Sequence, residues 1–396
     1  MAGITALGTT YNLPNYTGLL YGLTPADTPF FSAIGGLNGG GQTTDTEFEW
    51  ETYDLRAAGQ NTVLEGQDAP AAQNRVRGKA DNILQIHQET VAVSYTKRAA
   101  TGRLAGLPSQ GTANPVVDEL DWQTEQMLKQ MIRDINYSYL LGTYQKPSDN
   151  TTKRQTRGLL AAITTNAYNA ATAAGTAAQT GTAAASTDLI TLASHGLVNG
   201  DTIHFSSVGT ATPLLVTPAY YVVSSSTNTF SVATTKGGTA VDITADGTVT
   251  WQKGTALTLD IFNDVAQMAY DNGGLTDGMP VAVVGSAQKR AITKAYTSAG
   301  YVTKELAGNV GGVTVDTIQT DFGPFGIMLD RVMPQDTIAL ATMAQLKPVF
   351  LEVPEKGHFF EEPLAKTGAK DSNMLYGETG LSYGNQLAHA KITGLK

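Results

Sequence analysis

Cysteine is absent from this chain. Without it there is no disulfide framework, no thiolate zinc site and no thiol nucleophile, and synthesis in a reducing cytoplasm is expected. Long apolar runs are also absent, since none approaches the roughly 18 residues that a membrane-spanning helix needs. The opening residues, MAGITALGTTYNLPNYTG, lack the basic start, apolar middle and cleavage site of a signal peptide. Charged residues make up only 15% of the chain, and the net charge is −9. A protein that reads or wraps nucleic acid should show a basic face, and none stands out. KRQTR at 153–157 is the densest basic cluster, and solvent exposure is its default reading.

Chemistry-bearing patterns are equally scarce. His87, His195, His204, His358 and His389 never pair at metal spacing on a helix. HFFEE at 358–362 is read as a charged loop. No G-x-S-x-G elbow occurs, and Ser286 after Gly285 lacks the downstream glycine. GGLNGGG at 35–41 has neither the Lys-Ser/Thr of a phosphate loop nor a strand before it, and reads as a flexible segment. GNVGG at 308–312 reads as a turn. No catalytic residue, metal ligand or cofactor is assigned, and an enzyme is not expected.

What is present begins with Asn114–Gly142. Val117, Leu120, Met127, Leu128, Met131, Ile132, Ile135, Tyr139 and Leu140 recur at steps of three and four, which predicts one long amphipathic helix. Asn114 suits the cap, Pro115 the first turn and Gly142 the end. Such a helix spans roughly 40 Å.

Residues 1–44 read as an extended arm. They carry no Lys or Arg, yet hold Tyr11, Tyr16, Phe30, Phe31 and Ile34. A disordered tail is not normally so apolar, so the arm should pack on its own body or on a neighbouring subunit. DTEFEWETYDL at 45–55 alternates, with Phe48 and Trp50 on one side and Glu47, Glu49 and Glu51 on the other. ILQIHQETVAVSY at 83–95 is its expected partner strand. The long polar connection holds Arg75, Arg77 and Lys79. Acids on the strand and bases at the tip suggest contacts between copies of one hairpin arm.

AYNAATAAGTAAQTGTAAASTD at 167–188 reads as a low-complexity linker. LITLA, TIHFSSV, AYYVVSS, TFSVATT, VDITA and TVTWQ then form short β runs between turn signals, a small all-β module. From Thr255 helices at 259–274 and 286–300 flank a buried strand at 279–285, with Ser286 as the second helix's cap. GGVTVDTIQ, FGIMLDRV, TIALATM and KPVFLEV are strands, and 377–395 gives one or two more. The whole is α+β.

The order of these parts resembles the major capsid protein of tailed bacteriophages, the Hong Kong 97-type fold. TPADTPFFSAIG at 24–35, VVGSAQKRAITKAY at 283–296 and TDFGPFGIMLDRVMP at 320–334 are similar to motifs of one major head protein family. The resemblance implies an N-terminal arm (1–44), an E-loop hairpin (45–96), a peripheral domain with the spine helix (97–166), a linker and inserted all-β domain (167–254), an axial domain (255–345) and a C-terminal return to the peripheral domain (346–396). It implies self-assembly through hexamers and pentamers into an icosahedral head. The double-stranded DNA would lie inside without sequence-specific binding, with a scaffolding protein, a portal and a decoration protein as partners, and no membrane. The insert would sit on the outer surface. Localisation is the virion, after assembly in the bacterial host cytoplasm. Phe30, Phe31, Glu47, Phe48, Glu49, Trp50, Glu51, Arg75, Arg77 and Lys79 are the candidate inter-subunit residues. Relatives cross-link through lysine and asparagine, but the spacing of Lys79, Lys97 and Asn373 supports no match. A surface adhesin that binds glycan through the β module is the alternative, and a hydrolase ranks last.

Overall fold

The computed structural model describes residues 27–99, 118–298, 308–310 and 313–396. Among these, one compact unit takes His87–Arg133 and Phe359–Gly377, and a second takes Thr28–Ile86, Asp134–His358 and Glu378–Lys396. Residues before Asp27, including Tyr11 and Tyr16 of the expected arm, lie outside the described residues.

The described residues open with α1 (Pro29–Ala33) and β1 (Gly41–Thr43). The glycines between them are not a flexible segment. Gly35, Gly36 and Gly40 hold φ values of 117°, 58° and 92°, and a Cβ on Gly40 would lie 2.0 Å from the Pro348 oxygen. Glycine here serves a fixed turn and a close backbone approach. β2 (Glu47–Tyr53) and β3 (Arg77–Ile83) then form a two-stranded antiparallel sheet. β4 (Gln85–Ser94) follows, then α2 (Tyr95–Ala99). The expected partner of β2 was residues 83–95, and that pairing is corrected. β3 comes from the segment read as the polar tip.

The long helix is α3 (Glu119–Leu141). Asn114 and Pro115 lie outside the described residues. Asp118 Oδ1 accepts from the Leu120 N–H at 2.9 Å and so caps the described start. Gly142 follows the last turn for reasons of space: a Cβ there would meet the Ser138 oxygen at 2.3 Å and the Thr156 oxygen at 2.6 Å.

α4 (Leu159–Ala162), β5 (Ala167–Asn169), α5 (Ala170–Ala173) and β6 (Gln179–Ala184) occupy the stretch read as a linker. That reading fails because its small residues serve tight packing. Ala170 and Ala171 are fully buried, and a Cβ on Gly181 would press against the Trp251 ring at 2.9 Å. With β7 (Leu189–Thr191), β8 (Thr202–Ser207), β9 (Tyr220–Val223), β10 (Thr229–Ala233) and β11 (Gly247–Lys253), β6 closes a six-stranded barrel in the order β10-β7-β6-β11-β8-β9. Trp251, Phe230, Phe205 and Ile190 fill it. VDITA forms no strand there but contributes buried Ile243.

α6 (Leu259–Asp271), β12 (Val281–Val284), α7 (Ser286–Ser298), β13 (Gly308–Val310), β14 (Val313–Thr320), β15 (Gly323–Leu329) and β16 (Ile338–Ala341) build the α/β body. Ser286 is the first helical residue rather than the cap. Gln335 Oε1 accepts from the Ala287 N–H at 2.8 Å and takes that role from across the fold. GNVGG is more than a turn, since Gly308–Val310 pairs with Val313–Val315. β17 (Lys347–Leu351), β18 (Phe359–Pro363), β19 (Lys370–Ser382) and β20 (Ala390–Thr393) complete the chain. Residues 359–362 of HFFEE are thus part of a strand, paired with β19, and His358 precedes it. The seven-stranded sheet runs β13-β14-β15-β12-β16-β20-β5. Of the C-terminal strands, β20 joins this sheet, while β17, β19 and β18 form another with β1, and β4 pairs with β19. Phe262, Val265, Ile292, Phe325 and Ile338 form the core of the seven-stranded sheet. His204 of the barrel donates from Nε2 to the Leu395 carbonyl oxygen at 2.8 Å, and its Nδ1 lies 2.9 Å from an Asp336 carboxylate oxygen, joining barrel to sheet.

The smaller unit rests on Val91, Val93 and Leu120 with Met127 against them. Arg98 bridges Asp371 at 2.9 Å and Asp118 at 3.1 Å. His87 of β4 is buried, and burial lowers its pKa to about 4. The unfolded chain would protonate His87 near 6.5, so it binds more protons than the folded one between about pH 6.5 and 4. Stability should therefore be full above pH 6.5 and fall by about 3 kcal/mol as pH drops to 4. His87→Phe should flatten that part of a denaturation profile measured from pH 7 to 4. An unchanged slope would refute the assignment.

Candidate assembly site

The hairpin of β2 and β3 pairs Glu47 with Ile83 at its base and Tyr53 with Arg77 at its outer end. Alternation gives it two faces. On one, Phe48 stacks on Trp50 at 5.9 Å, and Trp50 meets Tyr383 edge-on at 4.8 Å. Trp50 Nε1 donates to the Gly384 oxygen at 2.7 Å. On the other, Arg77 pairs with Glu51, Lys79 with Glu49 and Lys146 with Glu47, each at 2.6 Å. The Glu49 hydrogen bond raises the Lys79 pKa.

The base is fixed by buried polar groups. Asn82 Nδ2 donates to the Leu381 oxygen at 2.7 Å and the Arg157 oxygen at 3.1 Å, while its Oδ1 accepts from the Arg157 and Ile83 N–H groups at 2.9 Å. Tyr144 donates to Asp81 at 2.8 Å, and burial together with that carboxylate pushes its hydroxyl to about 12. Arg157 lies over the Tyr144 ring at 4.1 Å and donates to the Tyr383 hydroxyl at 2.8 Å. Arg154 pairs with Glu378 at 2.9 Å. The arginines of KRQTR are therefore built into the anchor, which corrects their reading as solvated charge. Sequence reasoning missed Asn82, Tyr144 and Tyr383 altogether, because their partners are remote in the chain.

Beyond the base the picture inverts. Every residue from Tyr53 to Lys79 is exposed. Tyr53, Leu55, Val63, Leu64 and Val76 stand 74%, 69%, 63%, 79% and 83% exposed. Arg75 is exposed with no partner among the described residues.

The candidate residues thus divide. Phe30 and Phe31 are covered by the chain itself. Phe31 meets Tyr139 edge-on at 5.7 Å, and its N–H donates to Asn136 Oδ1 at 3.0 Å. The need for a neighbour to cover them disappears. Phe48 and Trp50 lean on their own body. Arg77 neutralises Glu51 and Lys79 neutralises Glu49 within the hairpin, while Glu47 is paired by Lys146 from outside it.

A family model described as "SU10 major capsid protein" matches residues 3–396. The chain belongs to the SU10 major capsid protein family. It is a phage major capsid protein, one of the structural proteins that assemble in many copies into the shell of the virion, and this is not an enzyme family. Its fold is that of the cyanophage A-1(L) capsid subunit, at 12% identity over 99% of each chain with a TM-score of 0.54. The Hong Kong 97-type capsid fold expected from the sequence is the fold found. The capsid of Myoviridae phage XM1 is also similar, at 12% identity over the whole of both chains with a TM-score of 0.48. No curated protein sequence matches. Among the described residues no helix is long and apolar enough to cross a membrane, and no group of His, Asp and Glu could hold a metal.

Proposed function

We propose that the capsid protein's subunits are tied together by the β2–β3 hairpin and its connection, 54–76, laid on a neighbouring copy. One observation carries this: a stretch in which nothing is covered bears five large apolar side chains. Burying a side chain of this size is worth about 1.5–3 kcal/mol, and no described residue of the chain supplies that cover. The anchored base supports the same reading, since a fixed base aims the tip. Arg75 joins the contact as an unpaired charge. Hexamers and pentamers closed by such arms would form an icosahedral head around double-stranded DNA, assembled in the host cytoplasm with scaffolding protein, portal and a decoration protein. The barrel faces outward. Lys79 and Asn373 are each held by a glutamate of their own chain, Glu49 and Glu361, which supports a shell without covalent cross-links.

The test replaces Leu55, Val63, Leu64 and Val76 by serine. Particle yield, read by sedimentation and electron microscopy with scaffolding protein co-expressed, should fall by about tenfold or more. The melting temperature should not move, because these side chains are largely exposed among the described residues. Particles at the parental yield would refute the proposal.

A further inference from the structure

The two helices of the α/β body carry opposite charge. α6 contains Asp260, Asp264 and Asp271 and no basic residue, and all three are exposed. They recur at steps of four and seven, so they share one stripe of the helix. α7 contains Lys289, Arg290 and Lys294 and no acid. Lys289 is neutralised by Asp316. Arg290 and Lys294 are exposed and have no partner among the described residues. They line, with Thr293, Thr297 and Leu329, an open concavity of about 610 Å³. Leu329 is 43% exposed there.

The two helices touch each other and pack on different strands of one sheet. α7 packs on β15, near the β13 edge, and α6 packs on β20, next to β5 at the other edge. Tyr168 of β5 has its hydroxyl pKa raised by burial and then by Asp264, which puts that carboxylate on the β5 side.

We infer that these two flanks are the two halves of one contact between copies: the basic face of α7 in one subunit receives the acidic face of α6 in the next. Unlike surfaces that meet head to tail generate rings when the rotation closes, and each junction of such a ring sets a basic face against an acidic one. The inference rests on the capsid reading and assigns it a surface separate from the hairpin. Electrostatic complementarity sets which partner docks and in which direction.

The test uses two full-length variants, both with scaffolding protein present. The first is Arg290→Glu with Lys294→Glu, and the second is Asp264→Lys with Asp271→Lys. All four side chains are exposed, so circular dichroism and melting temperature should match the parent. Each variant alone should give about tenfold less assembled protein or worse, because every junction then joins like charges. Co-expressed, they should assemble again, since each reversed face now meets its complement. Alternation permits only even-membered rings, so hexamers should return without pentamers, as sheets or tubes rather than closed heads. The four changes placed in one chain should restore closed heads. Parental assembly by either variant alone, or no recovery on mixing, would overturn the inference. If the α7 variant built normal heads that lost DNA, that face would serve the packaged nucleic acid and the inference would also fall. The hairpin serine variants separate the two readings: they should block assembly whatever the signs on α6 and α7.

Discussion

Replacing Asn136 by leucine should bring the larger unit close to unfolding. Asn136 sits on the buried stripe of α3 with no exposed surface. Its Oδ1 accepts from the Phe31 N–H at 3.0 Å, and its Nδ2 donates to the two Asp330 oxygens at 3.1 and 3.3 Å. One side chain therefore holds α1, the spine helix and the end of β15 together. Leucine fits the volume but leaves a buried carboxylate short of donors and a buried N–H without an acceptor. Charged hydrogen bonds are worth about 1.5–3 kcal/mol and an orphaned buried group costs about 1–3 more. The expected loss is about 3–5 kcal/mol against a total stability of about 5–15. Denaturant titration followed by far-ultraviolet circular dichroism measures it. Asp330→Leu combined with Asn136→Leu should cost less than the two single changes added together, because the stranded carboxylate is then gone. Additive losses would show that the pair does not act as a unit.

Asn136 also shows how far the sequence could be read. The helix around it was legible because its apolar positions recur at steps of three and four along its 23 residues, and α6, α7 and β12 carry apolar patterns of their own. An asparagine inside that apolar stripe was the one available sign of a buried polar pin. Its partners were not legible, since Phe31 and Asp330 lie remote in the chain. The hairpin failed for a related reason. β3 reads RGKADNI, too charged and too rich in turn formers to outbid the apolar run 83–95 as a strand. Its charges were seen to complement β2, but only pairing register decides whether complementary charges meet within a copy or between copies. Phe48 and Trp50 were placed on the correct face, while Tyr383 and Gly384, which cover Trp50, come from the far end of the chain. The Ala/Thr/Gly run at 167–188 misled because composition alone cannot separate a slack linker from a segment where only small side chains fit.

That last distinction bears on Trp251. It is fully buried at the centre of the barrel, with Phe230 at 5.1 Å and 71° and Gly181 directly beneath its ring. Trp251→Ala should cost about 3–5 kcal/mol through lost transfer energy and the cavity left behind. The barrel core shares no residue with the core of the seven-stranded sheet. The loss should therefore fall on residues 179–253, where hydrogen exchange should quicken, while α6 and β12 keep their protection. Fluorescence offers a second readout, because Trp251 is the sole fully buried tryptophan of the three in the chain and its blue-shifted emission should vanish. If His204, through Leu395 and Asp336, couples the barrel rigidly to the sheet, exchange in β20 should quicken in step. The two results lead to different views of the shell. A barrel that melts alone is a module the capsid body can carry without depending on it, and particles should still form. A barrel that takes β20 with it is part of the body's own stability, and particle yield should fall with the mutation even though no surface between subunits has been touched.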